Sequence, residues 1–460
     1  MGSRAEQGDN ARQSAARLDA EGVGNVALTW VDNAGITRVK TIPPRRLADA
    51  VTRGVGMSPV FDVFTSDDAI TASDHLGGPD GDLRLIPDLD RLTTLAAQPG
   101  WAWAPVDRYD LLGQPHPACQ RLFARRMAER AAAAGLDLRM GFETEWVVTR
   151  APQEPTDAAP LDYPCTGPAY GMARVVELSD YLRDVTEALT VQGVEVLQLH
   201  PEYAPGQFEV STAPADPVRA ADDVVLVRET VRAVSARHGL RVTFAPSVVA
   251  GEVGNGCHLH LSLHREGTSL HRAEGAEWSL APDAVAFLAG ILDALPALLA
   301  IGCPSPASYL RLLPSHWAGV YQCWGVENRE AALRLVVGAP DDPDGGHAEV
   351  KPFDAAANPY LAVGTVIAAG LHGIDTAAHL PAPQIGDPGV LGVRERARRG
   401  IVRLPATLTE AADRFEKSAP LREALGEVLH GAVLAVRRAE EAHYADREPE
   451  EIVAATRWRW

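Results

Sequence analysis

The stretch GFETEWVV, residues 141–148, places two carboxylates inside a segment that is typical of a buried strand. Phe142 and Trp146, with the valines that follow, are aromatic and β-branched residues that favour a half-buried β-strand. Glu143 and Glu145 are two positions apart, so both side chains point to the same face of this strand. Two adjacent carboxylates repel each other, and burying them without a positive partner is costly. The pair therefore predicts a bound cation.

Three further stretches, EYAPGQFEV, HLHLSL and HAEVKPF, also read as strands and add polar side chains. Their polar residues are Glu202, Glu209, His258, His260, Ser262, Glu349 and Lys351. The Pro-Gly turn between the first two glutamates returns both to one place, and the histidines alternate with leucines. Five glutamates with one or two histidines form an oxygen-rich ligand set, which Mg²⁺ or Mn²⁺ prefers. A zinc site would contain more cysteine or histidine.

A second group of residues is basic and consists of Arg311, Arg329 and Arg334. Guanidinium groups beside divalent metals indicate a phosphoryl-transfer site, because metals and arginines there share the phosphate charge. Each stretch alone also fits a simpler explanation: a solvated sheet face, satisfied core histidines, or the exposed charges of NREAALR. The occurrence of complementary groups in one region favours the functional interpretation.

The elements that position these residues predict an α+β protein with mostly antiparallel strands. We expect residues 1–22 to form a disordered N-terminal tail or a loose helix, and residues 23–112 to form a small sheet-rich domain. Within that domain, VALTWVDNAGITRVKTIP predicts a hairpin with its turn at residues 33–35. Residues 113–460 form the larger domain, in which EAALRLVV and HAEVKPF flank a turn-rich segment and predict a second hairpin.

The composition disfavours several classes of function. The chain of 460 residues has a formal net charge of −18, which disfavours nucleic-acid and anionic-membrane partners because both are polyanions. The N-terminus lacks an apolar signal core. We identify YLAVGTVIAAGLHGI, from Tyr360, as the longest apolar run, and it is too short to span a bilayer. The five cysteines form no CxxC pair, so we expect reduced thiols in a cytoplasmic protein.

In their order along the chain, these stretches resemble the motifs of the glutamine synthetase family. The resemblance rests on GFETEW, EYAPGQFEV, GNGCHLHLSL, NREAALRL and EVKPFDAAANPYLA, and it covers nearly the whole chain. It implies an N-terminal β-grasp domain over residues 23–112 and a catalytic domain over residues 113–460, built around a curved antiparallel sheet. It also implies a homo-oligomer, commonly a dodecamer of two hexameric rings, with each active site between adjacent subunits.

The resemblance further implies roles for individual residues. One metal would be held by Glu145, Glu202 and Glu209, and a nucleotide-side metal by Glu143, His258 and Glu349. The implied substrate-binding residues are Gly254, Arg311, Arg329, Lys351 and Trp317, with Arg311 on the substrate carboxylate. The implied ATP-binding residues are His260, Ser262 and Arg334. The implied cofactors are two or more Mg²⁺ or Mn²⁺ ions, and ATP would phosphorylate the γ-carboxylate of glutamate before an amine displaces phosphate.

Several positions depart from the family pattern at the amine end of the site. The flap motif, usually Arg-Leu-x-Pro-Gly-Tyr-Glu, reads RLLPSHW, so Trp317 replaces a glutamate that assists ammonium deprotonation. The ammonium-site motif Asp-Gly-Ser-Ser is missing, and FDVF retains only Asp62. Less charge and more apolar surface favour an organic amine, so we expect a γ-glutamylamide synthetase. No carboxylates for the distal ammonium groups of a polyamine are evident, which favours a small monoamine such as ethanolamine, with Asp62 or His316 taking its proton.

Three alternatives stay open at this stage. Glutamine synthetase proper would use ammonium, and the replacement of the flap glutamate by Trp317 argues against this alternative. A catalytically silent, structural or regulatory relative would be expected to lose metal ligands, whereas all six are present. A ligase for a different acid is the third, because Val253 replaces an asparagine that usually contacts glutamate. Lys351 likewise replaces an arginine, which turns a bidentate fork into a point charge.

Overall fold

The structure, a computed structural model, describes residues 4–151, 161–273, 275–339 and 341–460. The strands are β1 Asn25–Val31, β2 Thr37–Ile42, β3 Val55–Met57, β4 Leu83–Pro87, β5 Thr93–Thr94, β6 Trp101–Tyr109, β7 Asp137–Arg150, β8 Val196–Pro201, β9 Gln207–Thr212, β10 Leu240–Thr243, β11 Cys257–Arg265, β12 Thr268–Ser269, β13 Tyr321–Val326, β14 Ala331–Val336, β15 His347–Val350 and β16 Val402–Arg403. The helices are α1 Arg4–Ala20, α2 Leu47–Arg53, α3 Gln120–Ala133, α4 Met172–Glu177, α5 Ser179–Val191, α6 Pro217–Arg237, α7 Pro282–Gly302, α8 Pro306–Arg311, α9 Pro359–Asp375, α10 Val393–Arg398, α11 Leu408–Lys417, α12 Ala419–Tyr444 and α13 Pro449–Thr456.

The N-terminal strands form a six-stranded sheet in the order β2-β1-β6-β4-β3, with β5 paired to β6. The predicted hairpin is confirmed, because β1 and β2 pair antiparallel from Val26 opposite Ile42 to Val31 opposite Thr37. Strand β6 runs parallel to β1, so this sheet is mixed. The alternation of buried and half-buried residues along β4 shows one face turned toward a core.

Residues 4–20 form helix α1, so of the two expectations for the N-terminus a helix is correct and a disordered tail is wrong for these residues. Ala11 and Leu18 are fully buried, and Ala15 packs against the same core of the small domain. These three residues are spaced four and three positions apart, so they share one face of a helix. The otherwise polar composition of the segment hid this narrow apolar stripe.

The larger sheet has ten strands and runs β16-β13-β14-β15-β11-β7-β9-β8, with β10 on β7 and β12 on β11. Its pairs are antiparallel except that β13 and β14 run parallel. The second predicted hairpin is confirmed by β14 and β15, in which Leu333 lies opposite Val350. The α+β class and the mostly antiparallel sheet are therefore confirmed. The four strands predicted to carry chemistry occupy its centre.

Two long apolar helices pack together behind this sheet. Helix α9 begins where ANPYLA predicts a start, since the Asn358 side chain accepts hydrogen bonds from the backbone of Tyr360 and Leu361. Its partner α7 is longer and more apolar than the segment YLAVGTVIAAGLHGI. The expectation that the segment from Tyr360 is the longest apolar run is therefore wrong. In the described part of the chain, α7 alone could span a membrane by length and composition, but 78% of its apolar window is buried inside the protein.

Candidate active site

The register of the central sheet brings the predicted metal ligands onto one face. His258 on β11 lies opposite Glu143 on β7, and Glu145 lies opposite Glu209 on β9. On the other side of β11, His260 lies opposite Glu349 of β15. Because directly opposed residues in a sheet share a face, these pairs converge. The alternate leucines of β11 are buried on the opposite face.

The first half of this acidic cluster surrounds the two histidines. His258 Nδ1 is 3.0 Å from Glu143 Oε2 and 3.3 Å from Glu349 Oε1. His260 Nε2 is 3.3 Å from Glu143 Oε1. Burial acts to raise the pKa of Glu143, but the contacts with both histidines outweigh it and hold this pKa below its usual value. The group offers carboxylate and imidazole ligands to a cation.

The second half of the cluster contains three glutamates, Glu145, Glu202 and Glu209. Burial, with repulsion from Glu209 and then Glu202, raises the pKa of Glu145 to about 8. Burial and Glu209 likewise raise the pKa of Glu202. Carboxylates that resist ionisation in this way gain most from a divalent cation, which supplies the missing positive charge.

Cation-ligating atoms lie close together in three groups, which overlap. The groups, in each of which the ligand atoms lie within 4.8 Å of one another, are Glu143 with Glu209 and His258, Glu143 with His260 and Glu349, and His200 with Glu202 and Glu209. Five of the six predicted ligands therefore belong to one continuous cluster, and the sixth, Glu145, lies beside it with Oε1 3.9 Å from His258 Nε2. These groups divide the ligands differently from the two sets implied by the resemblance. His260, expected to bind nucleotide, is placed as well for a metal as His258.

Two basic side chains border the cluster at Glu349. Lys351 Nζ is 2.9 Å from Glu349 Oε1, and Arg334 is 3.3 Å from the other oxygen. Burial acts to raise the pKa of Glu349, but Lys351 and the histidines overcome it and lower this pKa to about 2. Glu349 thus stays ionised at neutral pH. Arg334 also donates to Glu327 at 2.7 Å, so it links the cluster to the turn after β13.

Arg311 and Gly254 come together at the edge of this site. A Cβ atom at Gly254 would lie 1.9 Å from the carbonyl oxygen of Pro246 and 2.9 Å from the Cγ of Arg311, so only glycine fits between them. Arg311 is buried and donates to the carbonyl oxygens of Pro352 and Phe353. Its Nε has no hydrogen-bond partner among the described residues. This arrangement suits an arginine that receives an anionic substrate group.

The flap segment RLLPSHW lies beside the turn that precedes β14. Trp317 is 55% exposed, and its backbone N–H donates to Glu330 Oε1 at 2.8 Å. His316 is exposed, with Nδ1 2.8 Å from the carbonyl oxygen of Pro314. Arg329 is exposed and makes no hydrogen bond or ion pair within the described part of the chain, so its guanidinium is available to a ligand.

Asp62 occupies a structural position that does not fit a proton-accepting role. Its carboxylate is fully buried, and both oxygens are 2.8 Å from the Arg108 guanidinium. Burial acts to raise the pKa of Asp62, but Arg108 and His116 outweigh it and lower this pKa. In this chain, Asp62 is therefore not available as the base for an amine. Of the two expected bases, only His316 faces solvent.

Three polar residues at the site were missed from the sequence. His200 Nε2 is 3.2 Å from Glu209, and its contact with Glu209 raises the pKa of His200 to about 9. The hydroxyl of Tyr170 donates to Glu202 at 2.7 Å. The Gln207 amide lies 3.0 Å from Glu145 and 3.0 Å from the carbonyl oxygen of Gly254, which ties a predicted metal ligand to the Arg311 region.

The remaining predicted residue, Ser262, lies on the same face of β11 but farther along the strand. Its hydroxyl contacts His264 Nε2 at 3.1 Å. It is thus placed beyond the histidines, toward the outer end of the site. The alternating pattern HLHLSL was the signal that located it.

Comparison with known proteins shows similarity to glutamine synthetases along nearly the whole chain. A family model for the glutamine synthetase catalytic domain matches residues 117–454, and one for the glutamine synthetase N-terminal domain matches residues 11–114. A crystal structure of a novel glutamine synthase homolog is similar with a TM-score of 0.85 and 33% identity, over 95% of this chain and 99% of that one.

Two curated relatives are named for organic amines. The chain is 54% identical over 461 residues to γ-glutamylpolyamine synthetase GlnA3 of Streptomyces coelicolor, and the matched residues cover 100% of this chain and 98% of that protein. It is 30% identical over 414 residues to glutamate–methylamine ligase of Methyloversatilis universalis, with coverage of 87% and 88%.

Proposed function

The chain belongs to the glutamine synthetase family, and from this premise we propose that it is an ATP-dependent ligase that joins the γ-carboxylate of glutamate to an organic amine. Carboxylates are poor electrophiles for amines at neutral pH, so the acid must first be activated. ATP phosphorylates the γ-carboxylate to an acyl phosphate and leaves ADP. The amine then attacks the acyl carbon, the C–O bond to phosphate breaks, and a γ-glutamylamide, inorganic phosphate and a proton are released.

The observation that carries this proposal is a cluster of carboxylates and histidines suited to divalent cations, beside a flap without a carboxylate. Five of the six predicted metal ligands lie in overlapping groups of cation-ligating atoms, and the sixth, Glu145, lies opposite Glu209 in the sheet, whereas the expected flap glutamate is Trp317. The family uses ATP with Mg²⁺ or Mn²⁺, which supply charge stabilisation for the transferring phosphoryl group. A silent assembly would not be expected to retain this set.

Several side chains of this protein can act directly on the substrates. We expect Arg311 to hold the glutamate carboxylate, and the Nε of Arg311 without a hydrogen-bond partner among the described residues supports this role. The exposed guanidinium of Arg329 can neutralise the developing phosphate charge. His316 can accept the proton of the incoming amine, since its ring is exposed on the flap beside Trp317.

Among organic amines, we favour a diamine or polyamine over the ethanolamine expected from the sequence. The relative at 54% identity is named for polyamines, and the glutamate–methylamine ligase at 30% identity is named for methylamine. The sequence-based choice of ethanolamine rested on not finding carboxylates for a distal ammonium group. A cavity lined by three carboxylates lies beside the flap in the structure. Ethanolamine is therefore one of the amines to be compared in the assay that identifies the preferred substrate.

Phosphate release from ATP with Mg²⁺ and glutamate, across ammonium and a panel of amines, tests this proposal when products are confirmed by mass. We expect 1,4-diaminobutane or a longer polyamine to give the highest kcat/KM, with ammonium lower by at least about tenfold. Ammonium as the best acceptor would make the protein a glutamine synthetase. Turnover with ammonium and amines only when another acid replaces glutamate would contradict the choice of acid.

We also propose that the protein acts in the cytoplasm as a homo-oligomer, a dodecamer of two rings with active sites shared between neighbours. The support is membership of the family. Light scattering coupled to gel filtration measures the assembly mass, and a monomer of 49.1 kDa with full activity would exclude shared sites.

A further inference from the structure

A cavity of about 520 Å³ lies between the turn after β13 and residues 383–387. Its lining includes Trp278, Glu327, Arg329, Glu330, Ile385 and Asp387. This set contains three carboxylates and one guanidinium, and Arg334 pairs with the carboxylate of Glu327, so one negative charge is left in excess. Apolar surface lies between the acids, and the isoleucine is 88% exposed at the rim.

Glu330 differs from the other two carboxylates of this cavity. It is only 7% exposed, and its Oε2 has no hydrogen-bond partner among the described residues. Glu327 contacts Arg334 at 2.7 Å, and Asp387 accepts a hydrogen bond from the Ser315 hydroxyl at 2.6 Å. A buried carboxylate oxygen without a donor costs free energy. A ligand that is both cationic and a hydrogen-bond donor would complete the environment of this oxygen.

We propose that this acidic cavity binds a non-reacting ammonium group of a diamine or polyamine, with Glu330 as the partner of that ammonium. The inference rests on the proposed function and specifies its substrate class. A methylene chain can lie against Trp278 and Ile385, while the ammonium forms a charge-assisted hydrogen bond with the carboxylate. The indole face adds a cation–π contact. A monoamine of the same length would leave Glu330 unpaired.

The flap connects this cavity to the reacting end of the substrate. Glu330 Oε1 accepts the Trp317 N–H, so the residue that replaces the family's flap glutamate is held by the proposed amine-binding carboxylate. Ser315 and Trp317 have φ values of 60° and 58°, a region that costs non-glycine residues free energy. Oε2 is shielded from solvent, so the incoming ammonium reaches it when this segment shifts.

The test compares two acceptors of equal length, 1,4-diaminobutane and 1-aminopentane, in which a methyl group replaces one ammonium. The measured quantity is the ratio of their kcat/KM values. Glu330→Gln retains the oxygen that accepts the Trp317 N–H and removes the charge. We expect this ratio to fall at least about tenfold, with KM for the diamine carrying most of the change. Glu423→Gln, an exposed carboxylate on α12, is the matched control and leaves the ratio unchanged.

A second pair of variants avoids the buried position. Ile385 is exposed, so Ile385→Lys places a cation at the rim with little risk to folding, and Ile385→Gln controls for loss of apolar surface. We expect the lysine variant to lower the ratio at least about fivefold below the glutamine variant.

The outcomes separate this inference from the proposed function. If the wild-type enzyme prefers the diamine but Glu330→Gln and Ile385→Lys leave the ratio unchanged, the inference is overturned and the ligase assignment stands. A wild-type preference for 1-aminopentane also overturns the inference. Failure of every organic amine, with turnover on ammonium alone, overturns both.

Discussion

Replacing Glu145 with glutamine should make the metal-free protein more stable while weakening its response to Mg²⁺. Glu145 is 9% exposed, and burial with Glu209 and Glu202 raises its pKa to about 8, against 4.5 for the unperturbed side chain. At pH 7 the folded carboxyl is therefore mostly protonated, whereas the unfolded one is ionised. Glutamine resembles the protonated form and can still accept the Gln207 amide hydrogen bond.

The magnitude follows from the difference between the two pKa values. Since one pKa unit corresponds to about 1.36 kcal/mol, ionisation of the unfolded side chain alone favours unfolding by roughly 3 kcal/mol at pH 7. Because the folded-state pKa is the higher one, this penalty is absent below about pH 4.5 and grows until about pH 8. The stability gain of Glu145→Gln should therefore be small at pH 5 and largest at pH 8.

Urea unfolding of the metal-free protein at pH 5 and pH 8, with and without Mg²⁺, measures both effects. In the wild type, Mg²⁺ should raise the unfolding midpoint, because a cation bound only to the folded state stabilises it. Glu145→Gln should have a higher unfolding midpoint than the wild type without Mg²⁺, and Mg²⁺ should raise that midpoint much less. Glu187→Gln, whose side chain is 69% exposed on α5, is the control and should change neither value. A less stable metal-free variant at pH 8, or an undiminished Mg²⁺ response, would refute the reasoning.

Four further predictions each concern a single residue. Trp317→Glu restores a flap carboxylate and should raise ammonium-dependent relative to amine-dependent kcat/KM about tenfold in steady-state assays, whereas Trp317→Gln should not. Arg311→Lys should raise KM for glutamate about 30–100-fold with KM for ATP nearly unchanged, because a point charge replaces a bidentate guanidinium. Asp62→Asn should destabilise the fold by about 3–5 kcal/mol in urea, since it leaves Arg108 buried without its counter-charge. His316→Ala should instead lower kcat for the amine at unchanged stability. An equal loss of stability in Asp62→Asn and His316→Ala would argue against a structural role for Asp62 and a catalytic role for His316.

The central strands of the site could be predicted because their periodicity and their chemistry agree. GFETEWVV and HLHLSL alternate with a period of two, so the shared face of Glu143 and Glu145, and of His258 and His260, follows from strand geometry alone. Which strands are neighbours does not follow from periodicity. The order β15-β11-β7-β9 decides that His260 faces Glu349 while Glu145 faces Glu209.

What was missed depends on contacts between residues far apart in the chain. Tyr170 reaches Glu202 from a segment before α4, and neither residue's surroundings in the sequence indicate this hydrogen bond. Asp62 looked available because FDVF is short and ambiguous, whereas Arg108, 46 residues later, neutralises it in the core. Glu330 appeared as one charge in NREAALR, and only the fold shows that it is buried beside the flap.

Transfer of labelled oxygen tests the central claim, activation of glutamate as an acyl phosphate, most directly. Glutamate carrying ¹⁸O in its γ-carboxylate is incubated with ATP, Mg²⁺ and 1,4-diaminobutane, and the released phosphate and the amide are analysed by mass spectrometry. We predict one ¹⁸O in each phosphate and one ¹⁸O retained in each γ-glutamylamide. Phosphate without label, formed together with the amide, would contradict acyl-phosphate activation by this site.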